Sequence, residues 1–190
     1  MAALTNFIRA LGLGLPLAIV AVWSAAEAAL FFLVADIPIS WIAVRSGTRA
    51  AILAAIVAAL ASVIGAAAVL VWAGNDPAGA ASAMAALPAV DSAMIAEAAE
   101  RYHQGFAAIL GGAFSGIPFK LFALEAARGD GLGLLLAAPF LRLPRFLLVA
   151  VVVGAISALL ERWMTTRQRL LLLAALWLLF YAGYFALMPG

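Results

Sequence analysis

The sequence predicts an all-α, polytopic helical membrane protein with two broken, re-entrant hairpins and about three to four full spans. Of its 190 residues, 68% are hydrophobic and only 11% are charged, whereas a soluble domain carries about 25% charged residues. Because so few charges cannot cover a water-exposed surface, lipid must face much of the protein. The hairpins are predicted from Gly, Pro and charged residues that interrupt two of the apolar segments.

Composition also excludes several classes of function. The formal net charge of +2 is too small to favour nucleic acid as a partner, and no basic stretch with interleaved aromatic residues occurs. The absence of Cys excludes disulfides, Cys-ligated zinc and a Cys nucleophile. His103 is the only histidine, and we predict no metal site and no cofactor. The length is that of one domain, so residues 1–190 are expected to form a single membrane domain.

The N-terminal segment, residues 1–23, is expected to be a helix made irregular by glycines and Pro16. The alternative is a signal peptide with the small residues Ser24 to Ala26 as its cleavage site. Residues 24–44 follow as the first broken segment, which is apolar but holds two acids and a proline.

The two acids of the first broken segment, Glu27 and Asp36, are candidates for proton coupling. Nine residues separate them, about 180° around a straight helix, so one would face lipid at a cost of about 2.5–3.5 kcal/mol. Pro38 cannot donate to the carbonyl of Val34, and Ile37 is disfavoured in the α region, so we expect a break around Asp36 to Pro38. Asp36 should then lie in an internal, wet cavity. The alternative is an ordinary span with both acids near the headgroups.

The middle of the chain predicts one clean span and one polar segment. Residues 50–72 are apolar throughout, and about 20 such residues cross a bilayer core. Residues 74–105 are expected to be a polar loop with an interfacial helix, capped by Asp91 or Ser92 and ending at Gly105.

The second broken segment, residues 106–128, is interrupted at Gly116 and Pro118. Lys120 follows, deep in an apolar run, where an unpaired ammonium is costly. We therefore expect Lys120 in the protein interior with a carboxylate as counter-charge, and Glu125 is the nearest candidate, with Glu27 and Asp36 as others. The alternative is a plain kinked helix with Lys120 extended towards the headgroups.

The C-terminal part predicts two further spans. Residues 132–162 are expected to be a span with a preceding short helix, because Arg142 and Arg145 bracket Pro144. These arginines suit either a substrate phosphate or anchoring to anionic headgroups. Residues 170–188 are expected to be the final span. Its candidates for the membrane interface are Trp177, Tyr181 and Tyr184.

The charge distribution predicts the topology. Loop arginines are expected to be cytoplasmic by the positive-inside rule. These are Arg45, Arg49, Arg162, Arg167 and Arg169. The charged residues of the stretch from 74 to 103 are mainly acidic, so this stretch should face outward. Since residues 50–72 then cross outward, the second broken segment must enter and leave on the outer side.

Short motifs in residues 22–162 carry a resemblance to a known family. They are Glu27-x-x-x-Phe31-Phe32-x-x-x-Asp36-x-Pro38, Gly116-x-Pro118-x-Lys120 and Arg142-x-x-Arg145-Phe146. This pattern resembles the DedA superfamily, also called VTT-domain or SNARE-associated Golgi proteins, and within it the YqaA-like branch.

The resemblance implies two re-entrant hairpins that face each other from opposite leaflets, in a bacterial cytoplasmic (inner) membrane. Bacterial members are linked to flipping phosphate-headed lipids, with proton-motive force as the proposed drive. The embedded acids of the family correspond to Glu27 and Asp36. DedA members usually carry two arginines in the second hairpin; here Lys120 falls near the second, and Ala113 or Phe114 stands at the first.

The leading functional hypothesis is a lipid flippase or scramblase, not an enzyme, with phospholipid or polyprenyl phosphate as its partner. Lys120, Arg142 and Arg145 would meet the phosphate, and one embedded acid would take and release a proton. The alternatives are a proton-coupled small-solute transporter and a structural membrane scaffold, and any of these could form a homo-oligomer. An intramembrane protease is disfavoured because the lone histidine lies in a polar stretch before Ser115.

Overall fold

The computed structural model describes residues 12–88 and 90–187, which form nine helices and no strand. In chain order they are α1 (Gly14–Ala29), α2 (Asp36–Ser46), α3 (Thr48–Asn75), α4 (Pro77–Ala85), α5 (Ser92–His103), α6 (Phe106–Ser115), α7 (Phe119–Ala126), α8 (Gly131–Leu160) and α9 (Thr166–Leu187). Three of them, α3, α8 and α9, are long and apolar enough to cross a membrane. The predicted all-α, polytopic class is confirmed, and α3 and α9 contain the predicted spans in the described residues.

Helices α3 and α8 form the antiparallel centre of the fold. A Cβ added at Gly154, near the end of α8, would collide with Thr48 at the start of α3. At the opposite end, a Cβ on Gly131 would lie 3.0 Å from Leu70 Cδ2. Small residues at these contacts let the two backbones approach closely, which is how membrane helices gain packing energy without a hydrophobic driving force between them.

The two ends of this pair differ in charge. The start of α9 is fastened to the end of α8, because Arg169 donates to both the carbonyl and the hydroxyl of Ser157, each at 2.8 Å. Helix α2 ends at Ser46, directly before the start of α3. All the loop arginines expected to be cytoplasmic therefore lie at one end, here called the arginine end. Residues 74–88 and 90–105 lie at the other end, here called the loop end.

The first hairpin enters from the arginine end. Helix α1 packs along α3, where Ser24 Oγ donates to the carbonyl of Ala58 at 2.8 Å. The helix stops at Ala29, residues 30–35 are irregular, and α2 returns to the arginine end.

The predicted position of the first break is wrong. Asp36 and Pro38 lie in the first turn of α2 rather than in the break, and Ile37 is helical. Pro38 is tolerated there because backbone N–H groups in the first turn have no helical partner. The predicted boundary between residues 1–23 and 24–44 is also wrong, since α1 runs through it. Residues 1–11 of the predicted N-terminal helix lie outside the described part of the chain.

The second hairpin enters from the loop end and breaks where predicted. Gly116 ends α6 in the left-handed conformation, φ +92°, and Pro118 is extended before α7 begins. Only glycine takes that φ without steric cost. Beyond α7 the chain is back at the loop end, because Tyr102 on α5 donates through its hydroxyl to the carbonyl of Asp130 at 3.2 Å.

The polar segment contains two helices where one was predicted. Asp91 caps α5 by accepting from the backbone N–H of Met94 at 2.7 Å, and Gly105 follows the helix with a positive φ, as expected. The additional helix, α4, is capped by Asp76, which accepts from the N–H of Gly79 at 2.9 Å.

The predicted short helix before the span of residues 132–162 is wrong. Helix α8 is continuous for 30 residues, with Pro139 and Pro144 inside it. Each proline removes one backbone hydrogen bond, but membrane helices tolerate this loss where neighbouring helices support the backbone. Here α3 packs along α8, so the prolines do not divide it.

Candidate functional site

Five charged side chains meet halfway along α8. Arg145 is the fifteenth of the thirty residues of α8, about 21 Å from its start. Glu27, Asp36, Lys120 and Arg142 surround it, each no more than 7% exposed. Charged groups at this depth are costly unless they are paired or hydrated, so their partners decide what the cluster can do.

Glu27 and Arg142 form a bidentate ion pair. The two terminal nitrogens of the guanidinium donate to the two carboxylate oxygens of Glu27, one of them at 3.3 Å. The guanidinium also lies 5.2 Å from the ring centroid of Phe119 and 4.8 Å from that of Phe146. This arrangement links α1, α7 and α8, and the guanidinium of Arg142 contacts both a carboxylate and two aromatic rings.

Asp36 and Arg145 form the second pair, which joins the first hairpin to α8. Arg145 donates to Oδ2 of Asp36 through Nε at 3.0 Å and Nη2 at 2.5 Å. Its Nη1 donates to the carbonyl of Ala113 on α6 at 3.3 Å. The second oxygen of Asp36, Oδ1, is buried and has no hydrogen-bond partner among the described residues. Arg145 retains 32% side-chain exposure, so this pair is the more open of the two.

Lys120 reaches across from the second hairpin to the first. Its Nζ donates to the carbonyl of Phe31, in the first break, at 2.8 Å. Within residues 12–88 and 90–187 no carboxylate lies within 4.0 Å of this ammonium, although Glu27 lines the same cavity. Lys120 is thus interior, as expected, but it is bonded to the backbone rather than to a carboxylate.

The predicted pairing of Lys120 with Glu125 is wrong. Glu125 accepts from Arg128 at 2.9 Å and lies 3.2 Å from Nε2 of His103, at the loop end. Five positions separate Lys120 from Glu125 on α7, about 140° around a helix, so the two side chains point in different directions.

Side chains from three helices satisfy the backbone of the first break. Besides the bond from Lys120, Trp23 Nε1 donates to the carbonyl of Leu33 at 3.1 Å. The N–H of Val34 donates to the hydroxyl of Tyr181 at 3.0 Å. An irregular backbone within a membrane protein requires such partners, so the break depends on tertiary contacts.

The aromatic residues of α9 face the first hairpin. Trp177 Nε1 donates to Ser40 Oγ at 3.0 Å, Tyr181 binds Val34, and Tyr184 lines a cavity. Trp177 and Tyr181 therefore form a packing surface, and their role as interface anchors stays a prediction. Their spacing along one helix face is the sequence signal that could have indicated this packing surface.

Two cavities adjoin the cluster. The first, about 150 Å³, contains Glu27, Lys120, Arg142 and Arg145 in its wall together with the tip of the second hairpin. A water molecule occupies about 30 Å³ of liquid, so this cavity has room for several waters or a small polar group.

The second cavity, about 470 Å³, lies between α2, α8 and α9. Its lining residues are Val34, Asp36, Ser40, Arg145, Val153, Leu173, Leu176, Trp177 and Phe180. Val34, Arg145 and Phe180 line both cavities, so the two cavities are adjacent.

No group of three His, Asp or Glu side chains in the described part of the chain is placed to hold a metal ion. A comparison of the chain with protein-family models, curated proteins and solved structures found no match.

Proposed function

We propose that this protein moves a phosphate-headed lipid between the leaflets of a membrane, as a flippase or scramblase of the DedA type in a bacterial cytoplasmic membrane. The observation that supports it is the placement of the charged cluster, halfway along a spanning helix, where hairpins from opposite ends meet. A transfer site accessible to both leaflets has to lie at this depth.

The energetic problem in lipid translocation is the charged headgroup. Moving an isolated ion from water to an apolar medium costs tens of kcal/mol in the Born limit. Hydrogen-bond donors halfway across replace part of the lost hydration, and charge-assisted bonds to phosphate are the strongest of these. Arg145 and Lys120 both line the first cavity and supply such donors.

The three basic residues have different roles in this proposal. Arg142 is held by Glu27 and two aromatic rings, so it fastens the first hairpin to α8 rather than capturing substrate. Arg145 is partly exposed and binds only one oxygen of its acid. Lys120 has no paired carboxylate in the described residues. The headgroup contacts therefore fall to Arg145 and Lys120.

Proton coupling is assigned to Asp36. Both oxygens of Glu27 are bonded by Arg142, whereas Oδ1 of Asp36 is free among the described residues and Asp36 lines the second cavity. Protonation of Asp36 would remove its negative charge and weaken its hold on Arg145, which would free the guanidinium for a phosphate.

The test is lipid translocation by purified protein in liposomes, using fluorescent phospholipids and a polyprenyl phosphate, with a membrane-impermeant quencher. We expect translocation by the wild type, its loss in Asp36→Asn, and its retention in the control Glu125→Gln, whose charge lies at the loop end. Failure of the wild type with every phospholipid and polyprenyl phosphate would refute the proposal. Uptake of a small anion by the same liposomes would then support the solute transporter, which the small volume of the first cavity also suits.

A further inference from the structure

The charged cluster contains one more positive charge than negative charge. Around the first cavity and the Asp36–Arg145 pair stand two carboxylates and three basic groups in the described part of the chain. Glu27 is matched by Arg142 and Asp36 by Arg145, which leaves Lys120. The carbonyl of Phe31 accepts a hydrogen bond from Lys120 but supplies no charge. An unbalanced buried cation is costly, so an occupant that brings one negative charge would be stabilised.

The second cavity is complementary to an apolar chain. Beyond Asp36, Ser40 and Arg145, its walls are Val34 of the first break and aliphatic and aromatic side chains of α8 and α9. Along α9 it extends from Leu173 to Phe180, about 10 Å at 1.5 Å per residue. Arg145 lines both this groove and the first cavity. A cavity lined by four charged side chains next to an apolar groove at this depth matches the two ends of an amphiphile.

We infer that the two cavities form one binding site for a single lipid whose headgroup carries one net negative charge. Its phosphate lies between Lys120 and Arg145, and part of one acyl chain lies in the groove along α9. This inference rests on the proposed function and deepens it, because it names the charge class of the lipid. A phosphodiester with an otherwise uncharged headgroup offsets the excess charge, whereas a zwitterionic headgroup brings no net charge to do so.

The charge selectivity can be measured by native mass spectrometry of the full chain in detergent, with phosphatidylglycerol and phosphatidylcholine of identical chains at equal concentration. We expect one bound phosphatidylglycerol and about a tenfold preference for it, because both lipids offer the same phosphate but the choline ammonium of phosphatidylcholine offsets its charge. Lys120→Gln keeps a donor for the carbonyl of Phe31 but removes the charge, so the preference should fall towards one. Lys120→Arg should keep it, and Glu125→Gln serves as the control for charge at a distance.

The position of the acyl chain can be measured by quenching of tryptophan fluorescence with bromo-acyl phosphatidylglycerol. Trp177 lines the groove, whereas Trp163 is exposed in the loop between α8 and α9. We expect saturable quenching that is lost in Trp177→Phe and kept in Trp163→Phe.

Equal binding of the two lipids, or an unchanged preference in Lys120→Gln, would overturn the charge assignment. Equal quenching in the two Trp variants would overturn the placement of the chain. Binding is measured without translocation, so the two proposals fail separately. Selective binding without liposome activity would refute only the proposed function, and translocation without selective binding would refute only this inference.

Discussion

Replacement of Arg142 should lower the free energy of unfolding more than replacement of any exposed arginine. In Arg142→Met, the carboxylate of Glu27 stays buried on α1 and loses both of its hydrogen-bond donors. Breaking a buried pair by removing one partner costs about 3–5 kcal/mol, and two cation–π contacts of about 0.5–2 kcal/mol each are lost as well. We therefore expect a loss of at least about 3 kcal/mol in the free energy of unfolding.

The measurement is thermal unfolding in detergent, where about 2–4 °C per kcal/mol is typical of chains of this length. The Tm of Arg142→Met should fall by at least about 6 °C, and that of the control Arg162→Met, exposed in the arginine-end loop, should not change. The double variant Glu27→Gln/Arg142→Met should regain part of the loss, because it removes the unpaired charge. An unchanged Tm in Arg142→Met, or purely additive losses in the double variant, would refute the assignment of this pair to the structure.

Three further predictions follow from the same geometry. Asp36→Asn should keep the fold, since its amide oxygen still accepts from Arg145. The same variant should abolish translocation in liposomes at both pH 6 and pH 8. Wild-type rates at either pH would contradict the proton-coupling role of Asp36. Gly116→Ala should lower stability by about 1–2 kcal/mol because of its left-handed backbone, whereas Gly74→Ala, in open space within α3, should lower neither Tm nor folded yield. Because the chain has no native Cys, Ser82→Cys should react with an impermeant maleimide from outside the cell, and Thr165→Cys only after permeabilisation; the opposite pattern would invert the topology.

The positions of the two breaks show how far local signals extend. At Gly116 to Pro118 the signal lies in the chain itself, since a left-handed glycine and a proline stop a helix wherever they stand. The first break contains neither Gly nor Pro. Its irregular backbone is held by Lys120, Trp23 and Tyr181 from other parts of the fold, so the nearest local signal, Pro38, suggested a position too late in the chain.

The candidate site shows the same division. The sequence indicated Glu27, Asp36 and Lys120 as candidates, because a charged side chain in an apolar membrane segment has a high free-energy cost. Their partners could not be read there, because 115 residues separate Glu27 from Arg142 and 109 separate Asp36 from Arg145. Glu125, close to Lys120 in sequence, lies on another face of α7 and binds other residues.

The membrane environment, two of the spans and the second break could be predicted from the sequence, because apolar composition, segment length and backbone restrictions act locally. Tertiary packing accounts for the first break, for the continuity of α8 through its prolines, and for which acid binds which base. These depend on packing between helices that are distant in the chain, where the cost of a buried charge or an unpaired backbone group is met by whichever partner the fold brings near.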